Sequence, residues 1–74
     1  MSDPATYKDQ YIYNRTQAKL FKERAAASRK MEAVYKERRM WLERLKQQDH
    51  TNEYRNAATQ YADEAKRIKE TFLQ

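Results

Sequence analysis

Residues 54–72 read YRNAATQYADEAKRIKETF, and Tyr54, Ala58, Tyr61, Ala65, Ile68 and Phe72 stand in them at alternating intervals of four and three. That is the 3.5-residue period of a helix packed along its length against another helix. Rings and an isoleucine alternate with alanines on this line, so a neighbouring helix can approach at the alanines and be held by the larger side chains between them.

Just upstream, Gln47-Gln48-Asp49-His50-Thr51-Asn52 gathers short polar side chains that compete with the backbone and cap helices. The sequence therefore predicts a turn at 48–51 and a second helix over 52–72. Before it, nothing interrupts a long helix over 4–47. The chain has no glycine, its one proline is Pro4, and Ser2 or Asp3 followed by Pro4 makes a helix start.

The long helix has a stripe of its own, with Leu20, Ala27, Val34 and Trp41 repeating every seven residues and Phe21, Ser28, Tyr35 and Leu42 beside them. Met31 and Leu45 widen it, while Arg24 and Arg38 share their edge and leave it half apolar. These stripes predict an all-α antiparallel helical hairpin, a long N-terminal helix against a shorter C-terminal one, in a single domain over 1–74. Leu45 is then expected near Tyr54, Trp41 near Ala58, and Phe72 near Ala27.

At about 1.5 Å per residue the second helix is about 32 Å long and the first about 66 Å, so roughly half of the long helix has no cover. The overhang holds Tyr7, Tyr11, Ile12, Tyr13, Leu20 and Phe21, a cluster expected to serve as a protein interface. Three arrangements would shelter it. In one, a break near Asn14-Arg15-Thr16 folds the first segment back as a third helix; in another, two hairpins self-associate into a homo-oligomeric bundle; in the third, the overhang docks a different protein. Tyrosine suits such an interface because it offers large contact area at little rotamer entropy.

Composition narrows the function. With 74 residues there is room for one small domain, and without cysteine no disulfide can brace it. No cofactor or small-molecule substrate is expected, and no enzyme activity, because there is no cysteine nucleophile and no glycine for a phosphate loop or an oxyanion turn. His50 beside Asp49 makes too small a set for a metal site. Glu53, Asp63, Glu64 and Glu70 read as solubilising charges, with Asp63 to Arg67 and Lys66 to Glu70 at the spacing of surface pairs. The longest apolar run is Ala25 to Ala27, far short of a membrane span. The acidic N-terminal residues Asp3 and Asp9 do not suit a targeting signal, so a cytoplasmic location is expected.

The net charge of +5 is concentrated in residues 19–46, with ten basic and four acidic side chains. On a helical projection Arg15, Lys19, Lys22, Arg29, Lys30, Lys36 and Arg44 share about one third of the circumference. Within this arc Arg15, Lys22, Arg29 and Lys36 repeat every seven residues, a straight row with about 10.5 Å between neighbours. Two functions follow as expectations. One is a protein-interaction module, an adaptor, assembly component or inhibitor, docking through the N-terminal aromatic residues; the other is RNA or DNA binding without sequence preference along the basic row.

Overall fold

The computed structural model of the chain describes residues 4–73 and is a two-helix antiparallel hairpin, α1 over Pro4–Glu37 and α2 over Trp41–Phe72. The proposed caps Ser2 and Asp3 lie outside the described residues. The helices have 34 and 32 residues and together form a rod of 55 × 16 × 13 Å. No helix among the described residues is long and apolar enough to cross a membrane.

The turn is at 38–40, not at 48–51, and this changes the arm lengths. Asp49, His50, Thr51 and Asn52 are inside α2, and α1 runs through Asn14, Arg15 and Thr16 without a break. Asn14 Nδ2 donates to the Gln10 carbonyl at 2.8 Å and Thr16 Oγ1 to the Ile12 carbonyl at 2.8 Å, so both polar side chains are satisfied on their own helix. The arms are nearly equal. The unequal hairpin expected from the sequence, and with it the long overhang, is not formed.

α1 ends in a Schellman motif. The Met40 N–H donates to the Tyr35 carbonyl at 2.8 Å and the Arg39 N–H to the Lys36 carbonyl at 3.2 Å. Arg39 occupies the left-handed position, with φ 55°, where glycine would be usual. Met40 precedes α2 without giving it a side-chain cap. A sequence lacking glycine, with a poor capping residue at the turn, hides the turn from inspection, whereas the good capping residues at 49–52 serve elsewhere.

The seam between the helices follows strict heptads. α1 turns inward one column of Tyr7, Asn14, Phe21, Ser28 and Tyr35 and another of Tyr11, Ala18, Ala25 and Glu32; all of them are buried or half-buried. α2 answers with Gln47, Tyr54, Tyr61 and Ile68, and with Arg44, Thr51, Ala58, Ala65 and Phe72. The expected stripe of α2 is thus in place and continues through the residues assigned to the turn. That of α1 is rotated: Phe21, Ser28 and Tyr35 are in the seam, but Leu20, Ala27, Trp41 and Leu42 are exposed. Phe72 meets Tyr7 rather than Ala27, with the rings stacked at 4.0 Å.

The two columns differ in what they hold. Large rings fill the first: Phe21 stacks on Tyr61 at 5.6 Å and lies 6.1 Å from Tyr54, worth about 0.5–1.5 kcal/mol per pair beyond area burial. Ile68 is the most completely buried large side chain. The second column is alanine over its middle. Toward the turn both give way to a polar layer, where Thr51 Oγ1 is 2.8 Å from Glu32 Oε2 and 2.7 Å from Ser28 Oγ. Ser28 also lies 3.2 Å from the Gln47 carbonyl and accepts from Gln47 Nε2, and no buried side-chain nitrogen or oxygen among the described residues lacks a partner.

Two substitutions test this arrangement. Arg39→Gly should stabilise the chain by about 1 kcal/mol, since glycine adopts a positive φ without steric conflict. In urea denaturation a destabilisation of similar size, as expected for glycine inside a helix, would place the turn elsewhere. Thr51→Val should cost about 1–3 kcal/mol by leaving buried Ser28 and half-buried Glu32 short of a partner. A substitution in a solvated turn would leave the urea midpoint unchanged.

Candidate binding groove

Along the alanine side of the seam the helices leave an open groove. Its floor is Ala18 and Ala25 from α1 with Ala58, Ala62 and Ala65 from α2. The cause is the lopsided seam: rings fill the opposite column, while on this side Ala25 and Ala65 are buried between the helices and the methyl groups of Ala18, Ala58 and Ala62 leave a shallow groove above them. Arg15, Lys19 and Lys22 form one lip, and Arg55, Lys66 and Lys69 form the other. No carboxylate among the described residues lines it.

The heptad register explains this polarity. Arg15 and Lys22 follow Tyr11 and Ala18 by four residues, which sets them directly beside the floor; Arg29 and Lys36 continue their column toward the turn. Glu23, Asp63 and Glu70 fall on the outward backs of the helices, and Glu32 is held within the seam by Thr51. Arg15 is steadied at one end by Tyr11, donating from Nη1 to the phenolic oxygen at 3.1 Å with its guanidinium 5.7 Å from the ring centroid. The groove cations have no carboxylate partner, for the one ion pair among the described residues is Glu64 with Arg67 on the opposite side of α2.

The same face carries exposed apolar side chains at both ends. Trp41 belongs to the column of Arg55, Ala62 and Lys69 and is 59% exposed; Leu45 belongs to that of Thr59 and Lys66 and is 57% exposed. Ile12, in the column of Lys19, is 51% exposed at the far end. The Arg44 guanidinium lies 5.6 Å from the centroid of the Trp41 ring.

Set against the sequence expectations, Arg15, Lys19 and Lys22 come together on one lip, and Arg29 and Lys36 extend it. Lys30 is on the outward back of α1, and Arg44 is half-buried in the seam. The second lip was missed, because residues 47–74 taken alone are nearly neutral; only the register of the two helices brings Arg55, Lys66 and Lys69 opposite the first. Of the expected aromatic interface, Tyr7 and Phe21 are engaged with Phe72, Tyr54 and Tyr61 inside the hairpin. Tyr11 lines the groove, Ile12 flanks it, and Tyr13 and Leu20 are exposed on the opposite side of α1, Tyr13 meeting the edge of Tyr61 at 6.3 Å. Compared with protein-family models, curated proteins and solved structures, the chain matches none of them.

Away from the groove, Arg67 pairs with Glu64, three residues before it, rather than with Asp63. The Arg67 hydrogen bond, reinforced by its charge, holds the Glu64 carboxyl below the ordinary carboxylate value, and the same bond holds Arg67 above its own. A lowered folded-state value contributes stability above the ordinary carboxylate range that is lost as pH falls through the lowered value. Because both groups are open to solvent, screening keeps that contribution small. Arg67→Gln should therefore return the Glu64 carboxyl titration, followed by NMR, upward to the ordinary range while the urea midpoint at neutral pH barely moves.

Proposed function

We propose that this chain is a non-enzymatic interaction module that takes an anionic partner, foremost another protein, along the groove between its two helices. The observation that carries this reading is a small-residue floor bounded on both lips by cations, with no carboxylate among the described residues lining it. Like charges on facing lips repel one another, and an anionic occupant relieves that repulsion while covering the floor. We place the module in the cytoplasm, where a chain without cysteine needs no oxidising compartment.

A homo-oligomer, if one forms, uses a different face. In a two-fold pairing of groove on groove, each cationic lip would meet another cationic lip. The exposed Tyr13, Leu20 and Met31, on the other side of α1, carry no such penalty.

Nucleic acid is the second reading, favoured by the row of Arg15, Lys22, Arg29 and Lys36 at about 10.5 Å intervals on a stiff rod. Titration at several salt concentrations with polyglutamate, duplex DNA and single-stranded RNA separates the readings. For a protein partner, polyglutamate should bind at low salt, and Lys22→Gln with Arg55→Gln should weaken it with helicity unchanged. Four neutralised phosphates would instead give duplex binding with a log–log salt slope of about −3.6, together with binding to single strands. Absence of binding to all three probes at low salt would remove the anionic-partner reading altogether.

A further inference from the structure

We propose that the occupant of the groove is an acidic amphipathic helix of a partner protein, lying on the alanine floor as the third rod of a bundle. This rests on the anionic-partner reading above and narrows it to one kind of partner. Three features of the face point the same way.

The first is the unfilled column. In a bundle, methyl-sized residues on two helices are matched by large side chains on the third, so that the layer reaches interior density. Ala18 and Ala58, half-buried, and Ala62, exposed, are the open part of such a layer, with Ala25 and Ala65 already buried between the helices beneath it. A partner helix supplies the large residues at heptad spacing as leucine-sized side chains.

The second is the spacing of the lips. Arg15 and Lys22 are seven residues apart, and the same column continues to Arg29 and Lys36. A helix beside them presents glutamates to this row when they recur every seven residues flanking its apolar seam, as in the charged flanks of coiled coils. Arg55 and Lys69 meet the flank on its other side.

The third is the apolar ends. Ile12 beyond one end of the floor, and Trp41 and Leu45 beyond the other, keep about half or more of their surface in water. A phosphate backbone has no use for them, whereas a helix lying along the whole face covers them. From Ile12 to Lys36, at about 1.5 Å per residue, this track is about 36 Å long, so the partner helix needs about three and a half heptads.

The test uses the full chain and a synthetic peptide of about four heptads, with leucine at the two seam positions and glutamate flanking them, free of tryptophan and tyrosine. A peptide of the same composition in scrambled order serves as the second probe and polyglutamate as the third. Trp41 is the chain's only tryptophan, so its fluorescence reports burial on this face directly. The patterned peptide should bind with a blue shift of Trp41 emission and at least about ten-fold more tightly than the scrambled one. Ala62→Phe, at an exposed floor position, should obstruct the groove and weaken the patterned peptide by about ten-fold while leaving polyglutamate binding and helicity unchanged.

Equal binding of patterned and scrambled peptides, or no effect of Ala62→Phe on the patterned peptide, overturns the helix proposal while the anionic-partner reading stands. Binding of duplex DNA or RNA by a chain that ignores the patterned peptide overturns it in favour of nucleic acid. If none of the peptides, polyglutamate or nucleic acids binds, the proposal and the reading beneath it both fail.

Discussion

Everything distinctive in this molecule follows from an asymmetry in how its two helices touch. Phe21, Tyr54, Tyr61 and Ile68 fill one side of the contact and alanines the middle of the other, with Tyr7 stacked on Phe72 at the open end. The rings take up the space on their side, while on the other the methyl groups leave a shallow groove above the buried Ala25 and Ala65. A hairpin with large residues in both columns would be better filled and would have no groove. One with alanine in both would bring its backbones closer, but would lose most of the apolar area that stabilises so short a chain.

The polar layer near the turn constrains the same contact in another way. Ser28, Glu32, Gln47 and Thr51 satisfy one another only when α1 and α2 are in the observed register. Sliding one helix by a heptad would part the Thr51 hydroxyl from Ser28 and Glu32 and set it against rings or alanines in a partly dry seam. An alanine-rich seam has little steric means of resisting such a slide. The hydrogen-bonded layer supplies the resistance, and so fixes which cations face each other across the groove.

The helical hairpin and the α2 seam from Tyr54 to Phe72 were legible in the sequence because heptad spacing is a physical requirement of helix pairing. The turn was not. Its left-handed residue is Arg39, which carries none of the usual markers, and the polar run at 49–52 that resembles a cap has Thr51 inside the seam instead. From that one displacement came the unequal arms, the overhang and the rotated α1 stripe. The candidate site was half legible: the Arg15 and Lys22 lip repeats along one helix and can be counted, but the Arg55, Lys66 and Lys69 lip joins it only through tertiary register. Alanines give no hydrophobic signal strong enough to mark a floor.

The stacking of Tyr7 on Phe72 also has a topological outcome. It holds the two open arms of the hairpin side by side, at the end of a 55 Å rod away from the turn. A chain that leaves and returns at neighbouring points can be spliced into a surface loop of another protein while barely parting the ends of that loop. Grafted in this way, the hairpin would stand from its host as a stiff spur, carrying the tryptophan-bearing tip outward.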